Sequence, residues 1–196
     1  MRIGLMGGSF NPPHAGHRHI SVEALKRMRL DQVWWIVTPG NPLKSTGELA
    51  GFGERMAAAK GLAAHPRIVV TGFEAELPSA YTRETLAFLR RRMPSVRFVW
   101  IMGGDNLAGF HRWRGWRSII EAMPIAVFDR PGFRYNALAS VAAISYDFAR
   151  TPEFLATALP MKTAPVWTYF SQPLREISST QLRKAKRGAL LAAPKP

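Results

Sequence analysis

The sequence predicts an α/β fold built on a doubly wound parallel sheet, Rossmann-like, with about six strands. Three observations predict it. Short apolar runs of strand length alternate along the chain with longer stretches of helical periodicity. The runs are apolar almost throughout, as in Gln32-Val33-Trp34-Trp35-Ile36-Val37, which suits strands covered on both faces. The glycine-rich and polar turns that carry the unusual residues all follow strand runs, so the fold gathers them on one edge of the sheet.

Taken in order, the first strand is Ile3-Gly4-Leu5-Met6, and the first helix runs from about Gly16 to Met28 on Ile20, Val22, Ala24, Leu25 and Met28. The second strand, Gln32 to Val37, ends in a Pro/Gly loop from Thr38 to Ser45. The only cation of that loop is Lys44, which by itself reads as a solvated lysine. A helix from Phe52 to Ala64 leads to the strand Arg67-Ile68-Val69-Val70-Thr71, and the loop after it carries Glu74 and Glu76. Thr82 has the residue type of an N-cap, with Glu84 in the first turn of a helix that reaches Met93 and is stopped by Pro94. The fourth strand, Arg97 to Met102, gives way to Gly103-Gly104-Asp105-Asn106, glycines and an acid at a strand end, which read as a ligand edge.

Phe110 to Arg117 alternates aromatic rings with cations. That is either a stacking platform with phosphate contacts or helix packing with an exposed basic face. Pro124 to Phe128 is the fifth strand and ends at Asp129-Arg130-Pro131-Gly132. Between residues 134 and 165, Leu138, Val141, Ala142 and Phe148 indicate one helix, and Pro152, Pro160 and Pro165 interrupt the rest. Val166 to Phe170 is the sixth strand. Ser178 and Gln181 have capping-box spacing for a last helix ending near Gly188. A single domain over residues 1–188 with a frayed tail over 189–196 is therefore expected.

The turn after the first strand, Gly7-Gly8-Ser9-Phe10-Asn11-Pro12-Pro13-His14-Ala15-Gly16-His17, organises the rest. Gly7 and Gly8 let backbone approach a ligand with no Cβ in the way. Ser9 adds a hydroxyl, and Pro12 and Pro13 bar any helix before about His14. His14 and His17 then stand three apart at the helix start, beside free backbone N–H groups and the positive end of the helix dipole. Such a site suits phosphate. The same two histidines could instead be helix-surface residues or two metal ligands, but zinc needs at least one further ligand, and there is no Cys. No metal site is expected.

Composition bounds the function further. At 196 residues, 47% hydrophobic and 20% charged, the chain can bury one good core. The absence of Cys excludes a disulfide framework, thiolate metal sites and thiol catalysis, and fits a cytoplasmic protein. No stretch approaches the ~20 apolar residues that span a bilayer, so no membrane partner is expected. The net charge of +14 is clustered at Arg90 to Arg92, at Arg112, Arg114 and Arg117, and at Arg183 to Arg187. It has the footprint of a nucleic-acid binder. We read it as a solvated basic surface, without specific nucleic-acid binding. The chain could form a homo-oligomer.

The string G-G-S-F-N-P-P-H-x-G-H resembles the nucleotidylyltransferase superfamily, with His14-Ala15-Gly16-His17 matching its H-x-G-H element, and is closest to the bacterial nicotinate-nucleotide adenylyltransferases. Four further segments are similar to the same family. They are Pro39-Gly40-Asn41-Pro42-Leu43-Lys44, then Tyr81-Thr82 with Thr85-Leu86, then Met102 to Leu107 with Phe110, Trp113 and Trp116, and finally Arg130-Pro131-Gly132 with Ile177 to Thr180 and Arg183. Leu43 stands where many members have His, Ala80 where Ser is usual, and Glu84 where Asp is frequent.

The resemblance implies a Rossmann-like nucleotidylyltransferase fold and adenylyl transfer from ATP to nicotinate mononucleotide, with Mg2+, giving deamido-NAD and pyrophosphate. It implies that His14, His17 and Arg183 are catalytic. It places Gly8, Ser9, Phe10, Gly103, Asp105, Asn106, Ser178 and Ser179 at ATP, and Asn41, Lys44, Tyr81, Thr82 and Trp113 at the mononucleotide. Transferases for other phosphate acceptors in the superfamily and an RNA-binding module with a retired site are the alternatives. Tyr81-Thr82 and Trp113 speak against the first, and the joint presence of His14, His17, Asp105 and Arg183 against the second.

Overall fold

The computed structural model describes residues 1–40, 49–79 and 81–171. Six parallel strands form one sheet in the order β3-β2-β1-β4-β5-β6. They are β1 (Arg2–Gly8), β2 (Gln32–Val37), β3 (Ile68–Thr71), β4 (Arg97–Gly103), β5 (Ile125–Phe128) and β6 (Trp167–Phe170). The helices are α1 (Ala15–Arg27), α2 (Phe52–Ala63), α3 (Thr82–Arg92), α4 (Gly104–Gly109), α5 (Trp116–Ala122), α6 (Arg134–Leu138) and α7 (Val141–Ser145). No helix among the described residues is long and apolar enough to cross a membrane.

Alternation along each strand divides the core in two. Ile3, Leu5, Ile36, Phe98, Trp100, Ile125, Val127, Trp167 and Tyr169 pack on one side with Leu86 and Leu89 of α3 and Ile119 and Ile120 of α5. Met6, Val33, Trp35, Val37, Val99, Ile101, Phe128 and Phe170 pack on the other with Ala24 and Leu25 of α1 and Ala59 and Ala63 of α2. With both faces covered, the strands have no polar side to present, which is why their sequences read as unbroken apolar runs.

The strand order reverses between β1 and β4, the place where open sheets of this kind admit ligands. Here the reversal is also a parting. β1 pairs with β2 as far as Gly8↔Val37, but its pairing with β4 stops at Leu5↔Trp100, although β4 continues to Gly103. Beyond that point the two strand ends diverge, with the Trp100 ring against Gly7: a Cβ on Gly7 would lie 2.6 Å from Trp100 Cη2. This corrects the expectation for Gly7, whose missing side chain makes room for a core indole. At Gly8 a Cβ would meet, among the described residues, nothing nearer than the Phe10 ring at 3.5 Å, so they leave backbone approach open there.

Two element readings also change, and an open one is narrowed. Residues 138–148 do not make one helix. The Ser140 side chain accepts from Ala143 N–H at 3.2 Å and restarts the chain as α7, leaving Val141 50% and Phe148 78% exposed. A 3-10 stretch, Glu153–Met161, then places Ala156 and Leu159 in the second core. Thr82 is the first residue of α3, and Tyr81 is its N-cap. In Phe110–Arg117 the packing reading holds for Phe110 and Trp116, which are buried, while Arg112, Arg114 and Arg117 are exposed. The last helix expected from Ser178 and the tail from residue 189 lie outside the described residues.

The Gly7 contact separates two glycines that look alike in sequence. Gly7→Ala is expected to lose about 1–3 kcal/mol by overpacking, whereas Gly8→Ala should stay within roughly 0.5 kcal/mol of the parent. Denaturant unfolding of the two variants checks this, and equal losses would refute the assignment of Gly7 to the Trp100 contact.

Candidate active site

His14 is the N-cap of α1, with extended backbone after the prolines, and His17 is the third residue of the helix. The rings meet with centroids 3.9 Å apart. The main-chain N–H of His14 donates to His17 Nδ1 at 3.1 Å. Nδ1 therefore carries a lone pair, and the proton of the neutral ring sits on Nε2. Burial above all, then the neighbouring His14 ring and Arg130, push the pKa of His17 down to about 3. Burial and then Arg130 push that of His14 down to about 4. Both rings are neutral at physiological pH, and His14 Nδ1 is buried without a hydrogen-bond partner among the described residues.

Phe10 supports this pair from below. Its backbone lies in the left-handed region at φ 46°, which turns the ring inward, where it is 2% exposed. There it packs against His17 at 4.8 Å and stacks on Trp35 at 5.1 Å. Trp35 is held in turn by Ser21, whose hydroxyl oxygen accepts its indole N–H at 2.7 Å. Phe10 was expected at the nucleotide, yet its side chain is core, so only its main chain can meet a ligand.

Across the parting, Gly103 caps α4 and Asp105 lies in that helix's first turn. Asp105 Oδ2 pairs with the Arg130 guanidinium, while its Oδ1 is buried and has no partner among the described residues. A Cβ on Gly103 would fall 2.4 Å from that Oδ1, so the glycine is what lets the carboxylate fold back there. Asn106, one residue on, is exposed. Arg130 is set from behind by Asp129, a 2% exposed carboxylate that accepts Arg130 N–H at 2.8 Å and the Tyr169 hydroxyl at 2.7 Å, and that also binds Arg134. Burial, then the Asp129 carboxylate, pushes the Tyr169 phenol well above its ordinary range and keeps it a donor.

On the β2 side, Tyr81 O accepts from Glu84 and Thr85 N–H at 2.9 and 3.2 Å, closing the first turn of α3. By helix geometry the N–H groups of Thr82 and Arg83 find no acceptor within the helix. The Thr85 hydroxyl donates at 2.6 Å to Glu74, which burial pushes above the usual carboxylate range and which also lies within bonding reach of the Thr38 side chain. Trp113 is half-buried, edge-on to Phe110 at 5.3 Å and to Trp100 at 6.3 Å. Arg114 lies over the Tyr81 ring at 4.7 Å.

The structure thus brings His14, His17, Asp105 and the backbone of Gly8, Ser9 and Gly103 to the divergent strand ends, with Tyr81, Thr82 and Trp113 on neighbouring elements. Asn41, Lys44, Ser178, Ser179 and Arg183 lie outside the described residues. Sequence reasoning quoted Arg130 only within a motif, named Glu74 only as a loop residue, and overlooked Arg55. Arg55 carried a readable signal: it shares the i, i+4, i+8 stripe of α2 with Ala59 and Ala63, which is the buried face. Nothing local marks Glu74 as buried.

Comparison with known proteins agrees with this geometry. The cytidylyltransferase-like family model matches residues 5–185. A Methylorubrum extorquens protein named "Probable nicotinate-nucleotide adenylyltransferase" is 54% identical over 183 residues, covering 93% of this chain and 99% of that protein. A Rhizobium meliloti protein of the same name is 51% identical over 188 residues, covering 96% of this chain and all of the relative. The solved Plasmodium falciparum nicotinic acid mononucleotide adenylyltransferase, complexed with NaAD, shares the fold with a TM-score of 0.72 at 16% identity, over 93% of this chain and 82% of that one. With its order of strands, its histidine pair at the switch point and full-length relatives at this level of identity, the chain belongs to the nicotinate-nucleotide adenylyltransferases, within the cytidylyltransferase-like family.

Proposed function

We propose that this protein joins nicotinate mononucleotide to the adenylyl group of ATP, giving deamido-NAD and pyrophosphate. The observation that carries the reading is the neutral His14–His17 pair at the N-terminus of α1, facing Arg130 where β1 and β4 part. The acceptor phosphate is already ionised at neutral pH, its second pKa being about 6. One of its oxygens attacks the α-phosphorus, the bond from that phosphorus to the β-phosphate bridging oxygen breaks, and pyrophosphate leaves with the electron pair. No base is needed, and two neutral imidazoles with such depressed pKa values suit donation better than proton abstraction.

His17 Nε2–H is the fixed donor, oriented by the His14 N–H behind it. The α1 N-terminus and the Gly8 and Ser9 backbone cradle the phosphates, and Arg130 supplies a full positive charge. Asp105 binds the ribose hydroxyls with its unpartnered Oδ1. Ser178, Ser179 and Arg183 take the triphosphate, as the family resemblance implies, and Asn41 and Lys44 attend the acceptor. Thr82 offers its N–H to the nicotinate carboxylate, and Trp113 stacks on the pyridine ring.

Among the described residues no group of three His, Asp or Glu side chains could hold a metal ion. A divalent ion is therefore read as one that arrives on the triphosphate rather than one resident in the protein. Mg2+ bound that way would neutralise charge on the departing pyrophosphate.

Three outcomes are expected. His17→Ala should lower turnover by ~10²-fold or more with the fold intact, as for loss of one donor to developing charge. Near-normal turnover in a variant with normal thermal unfolding would remove the donor role.

The histidines also tie stability to pH. Their folded pKa values, about 4 and about 3, lie below the ordinary 6.5 of the unfolded chain. Unfolding therefore takes up protons below that value. The stabilisation is whole above pH 6.5 and is lost as pH falls towards 4 for His14 and towards 3 for His17. Equilibrium unfolding from about pH 7 to about pH 4.5 should show this decline, and His17→Asn should flatten it by about one proton. An unflattened slope would show that His17 is not held neutral.

Nicotinate mononucleotide should be preferred to its amide on the order of 10²-fold or more in kcat/KM, because backbone N–H groups can only donate, and the amide NH₂ would leave one unsatisfied. Trp113→Ala should weaken both acceptors about equally and leave the KM for ATP much less affected. Equal efficiency on the two acceptors would refute the donor-only pocket.

A further inference from the structure

One buried cation takes no part in the donor set above. Arg55, the fourth residue of α2, is 2% exposed, and among the described residues no carboxylate pairs with it. Its guanidinium is instead spent on main-chain oxygens. Nε donates to Ala50 O at 2.9 Å, Nη1 to Ser9 O at 2.8 Å and to Thr38 O at 2.7 Å, and Nη2 to Pro39 O at 2.9 Å. The Phe52 ring covers it at 5.4 Å. These four carbonyls come from two connections: Ser9 from the turn after β1, and Thr38, Pro39 and Ala50 from the two ends of the connection between β2 and α2. A second bond ties the same pieces together, from Ala50 N–H to Asn11 Oδ1 at 3.3 Å.

A buried cation answered only by dipoles is a costly way to fill space, and an apolar side chain of similar volume would pack there without desolvating a charge. What the planar fork provides is direction. Its N–H groups lie in one plane at fixed angles, so oxygens that satisfy all of them are fixed relative to one another. Fixing Ser9 O also orients the Phe10 N–H, because the two belong to one planar trans peptide and point opposite ways. Four residues later the chain reaches His14. On the other side, Thr38 and Pro39 lead directly into the segment carrying Asn41 and Lys44.

We propose that Arg55 is a positioning residue for the transfer: it registers the nucleotide-side turn at Ser9 against the acceptor-side backbone at Thr38, Pro39 and Ala50. The attacking oxygen and the α-phosphorus are brought in by different halves of the site, and Arg55 bonds to both halves at once. This rests on the adenylyl-transfer reading. Either substrate alone is bound mainly by its own half, so a lost register falls on the step that needs both.

The test compares Arg55→Lys, Arg55→Met and Arg55→Ala with the parent, using ATP and nicotinate mononucleotide. Lysine keeps the charge but loses the fork, and methionine keeps the volume. Folded variants should show kcat lowered on the order of 10²-fold with each KM changed by less than about 3-fold, as a displacement of about 1 Å at the reacting atoms would give. Millimolar guanidine should restore part of the turnover of Arg55→Ala. Parental kcat in any folded variant overturns the proposal, as does a loss confined to KM. If the methionine and alanine variants do not fold, Arg55→Lys decides by the same criteria. A readout independent of activity separates this proposal from the reaction it rests on. The ¹⁵N shifts of the His17 imidazole, which report the His14 N–H bond to Nδ1, should move in Arg55→Lys, and unmoved shifts overturn the proposal. Absence of deamido-NAD formation by the parent would instead fall on the proposed reaction.

Discussion

β1 must be paired on both sides to be buried, and it must also be released on one side to make a site. Between Ile3 and Leu5 it is held by β2 and β4 together, and its side chains feed both cores. From Met6 to Gly8 only β2 holds it, since the Trp100 ring occupies the space beside Gly7. The glycine there is thus a packing requirement with a functional consequence. It lets β1 carry the following turn straight to the switch point instead of bending away from an indole. The positions of Ser9, Phe10 and the α1 histidines descend from that one accommodation.

The polar groups around the parting are buried in a way that keeps each poised. The histidines are neutral because burial disfavours a charge on either ring, and the nearby Arg130 cation adds to this. Arg130 is balanced by Asp105 and oriented by Asp129, and Asp129 is saturated by Tyr169 and Arg134. An arriving polyanion would meet donors already aimed and would compete with the Asp105 carboxylate for the Arg130 guanidinium. Little reorganisation is left for the reaction itself, which is the condition under which electrostatic stabilisation is most effective.

The large positive charge has local uses along the exposed surface. Arg90, Arg91 and Arg92 fill the last turn of α3, where cations complement the carbonyl end of the helix. Arg114 and Arg117 lie with their guanidinium groups over the rings of Tyr81 and Trp116. These arginines serve the packing of α3 and α5 while staying in solvent.

What the sequence by itself determined is the periodic part of the protein. Runs of apolar residues specified all six strands to within a residue or two, and with them the parallel sheet, because strands covered on both faces tolerate few polar positions. The turn from Gly7 to His17 was legible for a related reason: two prolines, two histidines and a serine after a strand leave few conformations and one kind of ligand. Residues 134–165 were not legible, since 3-10 turns and five-residue helices are too short for a period to show. Tertiary structure alone decided the rest. That Gly7 answers to Trp100, that Phe10 is core, and that Glu74 and Arg55 are buried depends on neighbours dozens of residues away in the chain. The stripe of α2 marks the Arg55 position as inward-facing, but nothing local gives its partners Ser9, Thr38, Pro39 and Ala50, because the reason for an arginine there is the geometry of two connections that only the folded sheet brings within reach of one guanidinium.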